Sequence, residues 1–451
     1  MTARNLVISG VVLSALFMSG CHAGQSPEVS GDSTPETSAP SEEATQPDEG
    51  FESINVFELL TPESQSARDC LGAALLGDAS LGIEAEETIR SGEGNLEDIY
   101  EAWSICVGIP VVFSDAGFAS VTDLGFVIDY STPGIIALPM DDNGIIALPM
   151  DDPGFMRRPR GIETLADPSA ILLADSRVAL YFSGDHSAPG RSTRWVSSEP
   201  VSAAPESLIF SPEADYTLET LTSWRNIIPT ADGFVAFGQE NMNEGLSRWE
   251  STDGLEFRNK TVLITPQQWR DSEEAEGRLV STEAALHNLT PNSAVTSTDS
   301  FGFFAVFEGL REGFGLEGCP PECDRDGDGY ESGEYVTIYR SPDGITWSPS
   351  ATVGGASEGS VVEVAPGVLA LVLPTGVTHF STDGDNWGFG VSTGISHLDL
   401  MLEDGSWLGF GTQSASDGGI PAWSVNLDVS ALDPRWLEPA SFDAFASLAT
   451  G

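Results

Sequence analysis

One seven-residue pattern constrains this chain more than any other. It reads S-x-D-G-x-x-[WF] and occurs as Ser251-Thr252-Asp253-Gly254-Leu255-Glu256-Phe257, as Ser341-Pro342-Asp343-Gly344-Ile345-Thr346-Trp347 and as Ser381-Thr382-Asp383-Gly384-Asp385-Asn386-Trp387. Each copy follows a strand-like run and precedes more extended chain. Ser and Asp side chains accept hydrogen bonds from nearby backbone N–H groups, and Gly takes the φ > 0 position. The pattern therefore encodes a folded-over turn with an aromatic ring lying back over its hairpin. A lone S-x-D-G is noise. Three copies with the aromatic in register predict a repeated unit.

The units can be marked out as five strand pairs, each an apolar strand followed by a more polar one. Ser176–Phe182 leads to Thr193–Val196, Gly233–Phe237 to Leu246–Glu250, and Gly302–Phe307 to Tyr335–Arg340. Gly367–Leu373 leads to Val377–Phe380, and Gly405–Phe410 to Trp423–Leu427. A β-sandwich would not place the same turn after successive pairs. The turns resemble the Asp-box of sialidase-like (BNR-repeat) β-propellers. That resemblance implies an all-β propeller of five or six blades over residues 111–451, with strands within Val111–Val127 supplying or completing a sixth blade.

Ahead of this region the chain changes character twice. Arg4 precedes an apolar run from Leu6 to Met18, too short for a membrane span but suited to a signal peptide over residues 1–20. The run ends in Met18-Ser19-Gly20-Cys21, which resembles a bacterial lipobox, with Met18 where the motif usually carries Leu. The resemblance implies lipidation of Cys21 as the mature N-terminus. Residues 21–50 are Ser, Thr, Pro, Glu and Gln with almost nothing to bury, and predict a disordered acidic tether spanning roughly 30 Å.

Residues 51–110 predict a small helical module. Thr61-Pro62-Glu63 reads as N-cap, N1 proline and first-turn acid, followed by the stripe Ala67, Cys70, Leu71, Ala74 and Leu75. Asn95 caps a second helix carrying Ile99, Ala102, Trp103 and Cys106 on one face. With one cysteine on the buried face of each helix, Cys70 and Cys106 are expected to pair in an exported protein. GIIALPMDD occurs at Gly134–Asp142 and again at Gly144–Asp152, where Pro139 and Pro149 demote both copies to edge strands. No function follows from this duplication.

Charge narrows the partners. With 69 acidic and 19 basic residues the net charge is −50, and Lys260 is the only lysine. Such a surface repels nucleic acid and anionic membranes, leaving the lipid anchor as the membrane contact and a glycan or protein as the ligand class.

For catalysis the sequence offers little. Ala166-Asp167-Pro168-Ser169 resembles the first blade of propeller glycosidases, which would aim Asp167 at a central pocket; Asp-Pro is equally a turn signal. Arg157, Arg158, Arg160 and Arg225 are available, but Arg225-Asn226-Ile227-Ile228-Pro229 only imitates the Arg-Ile-Pro opening of sialidases. The sialidase activity therefore does not carry over with the fold. Gly355-Ala356-Ser357-Glu358-Gly359 matches G-x-S-x-G but precedes a strand rather than a helix, so it reads as a glycine-rich loop. The histidines are scattered and predict no zinc site.

A calcium site is the sharper expectation. Within the segment Glu308 to Gly333, Cys319 and Cys323 are expected to pair just before Asp324-Arg325-Asp326-Gly327-Asp328-Gly329-Tyr330. This run resembles an EF-hand-type loop, implying Asp324, Asp326 and Asp328 as side-chain ligands and Tyr330 as a carbonyl ligand. Glu334 stands one residue ahead of the twelfth position, where the motif carries Glu, so affinity should be in the millimolar range. The expected whole is a lipid-anchored extracytoplasmic propeller acting as a binding or scaffold module at the bacterial cell envelope, with a calcium-ordered loop. The alternative is an exo-sialidase-like or other glycoside hydrolase with a central pocket.

Overall fold

The computed structural model describes residues 55–60, 62, 65–115, 117–129, 168–181, 191–201, 208–218, 223–239, 245–275, 288–289, 294–310, 334–354, 358–411 and 419–450. Residues 55–451 form one compact unit. It opens with helices α1 (Val56–Leu59), α2 (Gln65–Leu76), α3 (Gly82–Ser91) and α4 (Leu96–Cys106). Asn95 caps α4 as its sequence suggests, its side chain accepting from Glu97 N at 3.2 Å. Helix α3 has no counterpart in the sequence reading. It is acid-rich, buries only Gly82, Ala85 and Ile89, and ends on Gly92 in the left-handed region. Gly82 is required where α3 crosses α2, because a Cβ there would meet Arg68 O at 2.6 Å. The Cys70–Cys106 disulfide joins α2 to α4.

Two strands follow, β1 (Val111–Ser114) and β2 (Ala119–Asp129), and then the blades in order. Blade one is β3 (Ser169–Leu172), β4 (Val178–Tyr181), β5 (Arg191–Ser197) and β6 (Phe210–Leu218). Blade two is β7 (Ser223–Thr230), β8 (Gly233–Gln239), β9 (Leu246–Ser251) and β10 (Glu256–Ile264), with α5 (Pro266–Ala275) after it. Blade three has β11 (Asn288–Leu289) and β12 (Val295–Thr298) side by side on β13 (Gly302–Leu310), then β14 (Glu334–Ser341) and β15 (Ser348–Gly354). Blade four is β16 (Ser360–Ala365), β17 (Val368–Val372), β18 (Val377–Ser381) and β19 (Gly390–Ser392). Blade five is β20 (Leu400–Met401), β21 (Trp407–Phe410) and β22 (Gly419–Leu427). Helix α6 (Phe442–Thr450) ends the chain.

This is a five-bladed β-propeller. Among the described residues there is no sixth blade, and the region Val111–Val127 has a different task. Strand β2 pairs antiparallel with β22 from Ala119↔Leu427 to Asp129↔Gly419, so the N-terminal side of the chain supplies the outer strand of blade five. Strand β1 adds in parallel to β19 at the rim of blade four. The reason is ring closure: without β2, blade five would present β22 as an unpaired edge.

The five strand pairs read from sequence are the second and third strands of each blade. Of the inner and outer strands, the sequence reveals the apolar β16 and strand character in β1 and β2, while most of the others are short or carry mixed polar residues. Burial explains the difference, since second strands such as β4 and β21 are buried at every position. The helices share one hydrophobic cluster with blades four and five. Leu60, Leu71, Ile89 and Trp103 belong to it together with Phe118, Phe380, Phe389, Trp436 and Phe445.

Candidate functional site

The propeller has two unlike faces, and the S-x-D-G turns define one of them. In each turn the Asp Oδ1 gathers two backbone N–H groups: Leu255 and Glu256 on Asp253 (2.8 and 3.1 Å), Ile345 and Thr346 on Asp343 (2.8 and 2.7 Å), Asp385 and Asn386 on Asp383 (both 2.8 Å). The Ser hydroxyls of Ser251, Ser341 and Ser381 donate to the same Oδ1 atoms at 3.0–3.2 Å. The backbone N–H groups of Leu255 and Glu256 hold Asp253 below the usual carboxylate range, and those of Thr346 and Ile345 do the same for Asp343. Burial pushes Asp383 up, but the Asn386 side chain and the backbone donors outweigh it.

Each turn also rests on the blade before it. Gly254, Gly344 and Gly384 have φ of 70°, 69° and 79°. A Cβ on them would lie 2.8 Å from Tyr181 Oη, 3.3 Å from Phe237 Cζ and 3.0 Å from Phe304 Cζ, all on the second strand of the preceding blade. Tyr181 donates to Gly254 O at 3.1 Å, and Arg340 reaches Asp383 O (3.1 Å) and Asp385 Oδ2 (2.9 Å). Phe257 and Trp387 are buried, and Trp347 meets Phe237 edge-on at 5.9 Å. The turns are fasteners between neighbours in the ring.

From the opposite ends of the strands leave the long connections: 130–168, 182–190, 265–294, 311–333 and 411–418. Pairing of Leu310 with Glu334, and of Phe303 with Ser341, puts the 311–333 connection at the far end of blade three from its turn. The hairpins on the turn face are short, at 173–177, 231–232, 299–301, 366–367 and 402–406; 198–209 and 382–389 are longer, and the segment 428–450 also leaves from this face.

The inner strands are tied to one another around the centre. Ile227 N donates to Ser169 Oγ at 2.8 Å, Val295 N donates to Asn226 Oδ1 at 2.9 Å, and Thr296 Oγ1 donates to Val361 O. These bonds run from β3 to β7 to β12 to β16 and satisfy backbone groups on the free inner edges. The carboxylate on these strands, Glu363, accepts from Ser300 N and Gly367 N, both at 2.9 Å. On the loop face, His397 stacks on Trp423 at 5.3 Å, and burial pushes it down to about 4.

Cys21, Asp167, Cys319, Cys323, Asp324, Asp326, Asp328, Tyr330 and both GIIALPMDD copies lie outside the described residues, as does the Glu334 side chain. Among the described residues no group of three or more His, Cys, Asp or Glu is placed to hold a metal ion.

The fold and its two faces define a five-bladed propeller, and solved structures similar to it include glycoside hydrolases. Zg3597, a family 117 glycoside hydrolase from the marine bacterium Zobellia galactanivorans, has 8% identity and a TM-score of 0.39, covering 71% of this chain and 94% of that one. A putative glycosidase from Bacteroides thetaiotaomicron has 11% identity and a TM-score of 0.38, covering 68% and 97%. A thermostable family-43 glycoside hydrolase has 11% identity and a TM-score of 0.36, covering 59% and 90%. At these identities the likeness is one of fold, and no activity passes with it. No protein family and no curated protein matches the sequence.

Proposed function

We propose that this protein is an envelope-displayed binding propeller, carried by a lipid on Cys21, whose ligand face is the one bearing the long connections. The observation that supports the reading is the asymmetry between the faces. One carries short hairpins and turns locked onto neighbouring blades, while the other collects the longest connections between strands. Binding residues concentrate on long loops held by a rigid scaffold. The inner strands spend their small polar side chains on one another, which favours a ligand held by the rim over one held in the centre.

Excision of the 311–333 connection is the direct test. Leu310 and Glu334 are paired, so a two-residue Asn-Gly turn can join β13 to β14 without disturbing the blade. On an array of bacterial envelope glycans the excised variant is expected to lose binding at least tenfold. An Ile345→Arg variant, altered at an exposed turn-face position, should keep it. Equal loss by both, or by neither, contradicts the reading. Release of new reducing ends from the same glycans would favour the hydrolase reading instead.

Calcium would order the 311–333 connection through Asp324, Asp326, Asp328, the Tyr330 carbonyl and Glu334. Calorimetry should show uptake of one ion at roughly millimolar affinity, abolished by Asp326→Ala with Asp328→Ala. Identical uptake by both proteins eliminates the site. The anchor has its own readout: radiolabelled fatty acid should be incorporated at Cys21, and an unlabelled, freely secreted product would contradict that part.

A further inference from the structure

We propose that the Cys70–Cys106 bridge is a redox clasp on the seam between the helical unit and the propeller. Its reduction would loosen α1–α4, β1 and the entry to β2 at Phe118 from blades four and five, while the far end of β2 and blades two and three stay folded.

Helices α1–α4 and α6 meet in the cluster that joins them to those blades. Phe445 of α6 lies 6.3 Å from Phe57, 5.3 Å from Tyr100 and 6.4 Å from Phe389, ring centre to ring centre. Phe118, at the threshold of β2, stands edge-on to Phe380 at 5.3 Å and to Trp436 at 5.8 Å. The ring is closed between blades five and one by a shared core that includes Ile128 of β2, Phe410, Trp195 and Phe210, while β2 and β1 join the blades by pairing with β22 and β19. Strand β2 has a single neighbour, two register irregularities, and exposed Val121 and Phe126. Strand β1 has three paired positions with an irregularity between Val111 and Phe113.

The helical unit directly ahead of these strands shares a core with β1 and the entry to β2 through Val112, Phe113 and Phe118, whereas the far end of β2 is anchored by Ile128 in the core between blades five and one. That unit is built of short helices, which are marginal without tertiary support. Beyond its buried core, α2 is held to α3 by the Arg68–Glu86 pair and to α4 by the disulfide. A dithiol reductant would open the bridge by attack of its thiolate on one sulfur, giving a mixed disulfide that its second thiol resolves. Two cysteine thiols form, and the reductant leaves as its own disulfide, so two electrons are transferred. In the opposite direction, a chain exported with free thiols would keep this seam loose until exchange with a disulfide donor forms the bridge, the donor's own disulfide taking up the two electrons and two protons and leaving as a dithiol.

Hydrogen exchange on the full-length chain tests this, comparing the oxidised protein, the same protein under a dithiol, and a Cys70→Ala, Cys106→Ala variant. Exchange should accelerate about tenfold or more in α2, α4, β1 and the Ala119 end of β2, and change less than about twofold at Ile128 and in β8, β9, β13 and β14. The variant separates this bridge from any other reducible pair. Unchanged exchange at β1 and at the Ala119 end of β2, or equal acceleration across all blades, including global unfolding of the variant, overturns the proposal.

Discussion

Replacing Gly302 by alanine is expected to cost about 4 kcal/mol of folding stability, against about 1–2 kcal/mol for Gly367→Ala. Both glycines precede or begin the second strand of a blade, and their φ values are alike, 84° and 77°. The backbone penalty for a side chain in this region is therefore shared. Their surroundings differ. A Cβ on Gly302 would lie 2.6 Å from Ser341 O and 3.0 Å from Pro342 Cα, the first residues of the blade-three turn. Both are backbone atoms, so relief requires the turn to lift. Around Gly367 nothing lies within 4 Å. Denaturant unfolding of the two variants isolates the steric part, and equal losses would mean that the turn does not bear on the strand beneath it.

Acidification from about pH 6.5 to pH 4 is expected to remove roughly 3 kcal/mol of stability through His379 alone. This ring is 2% exposed on β18, with Nδ1 3.1 Å from Gly388 O. Burial pushes its pKa down to about 4, against a partial opposing effect of the Gly388 carbonyl. The folded pKa is depressed, so between the two values the unfolded chain takes up the proton that the folded chain refuses. The contribution is complete above pH 6.5 and lost as pH falls to 4. Below that, the turn carboxylates act the same way, because Asp253 and Asp383 are also held low when folded. Protonating carboxylates also relieves the self-repulsion of a chain with net charge −50, an effect of opposite sign. Measuring in about 1 M salt suppresses that repulsion and exposes the buried histidine. A His379→Gln variant should remove about half of the slope between pH 6.5 and 4, the rest coming from His397, which burial also holds at about 4. An unchanged slope would show that His379 is not the group being titrated.

Much of the architecture was legible because its strongest physical signals are local. The second and third strands carry continuous apolar runs, and the turns carry Ser, Asp and Gly whose hydrogen bonds stay within four residues. Inner strands such as Ser169–Leu172 and Leu400–Met401 were not legible. They are too short for a period to emerge, and their place is set by bonds from Ser169 and Asn226 to neighbouring blades. Ring closure was misread for a related reason. Ala119–Asp129 looks like the beginning of a blade, and only its pairing with β22, far along the chain, makes it the end of one. The pairing of Cys70 with Cys106 was readable from helix faces, whereas the sharing of one core by those helices and Phe380, Phe389 and Trp436 was not. Likewise the three turn glycines announce a left-handed backbone, but not the aromatic ring of the preceding blade beneath each.

The division of labour between the faces is open to one direct measurement. Hydrogen exchange of the full-length protein, with and without a glycan retained on the array, reports which strand ends the ligand covers. Protection should gather at the loop-face ends, around Leu310, Glu334, Gly354, Ser360 and His397, and leave Ser251–Phe257, Ser341–Trp347 and Ser381–Trp387 unchanged. Protection centred on those three turns, with the loop-face ends unaltered, would contradict the account.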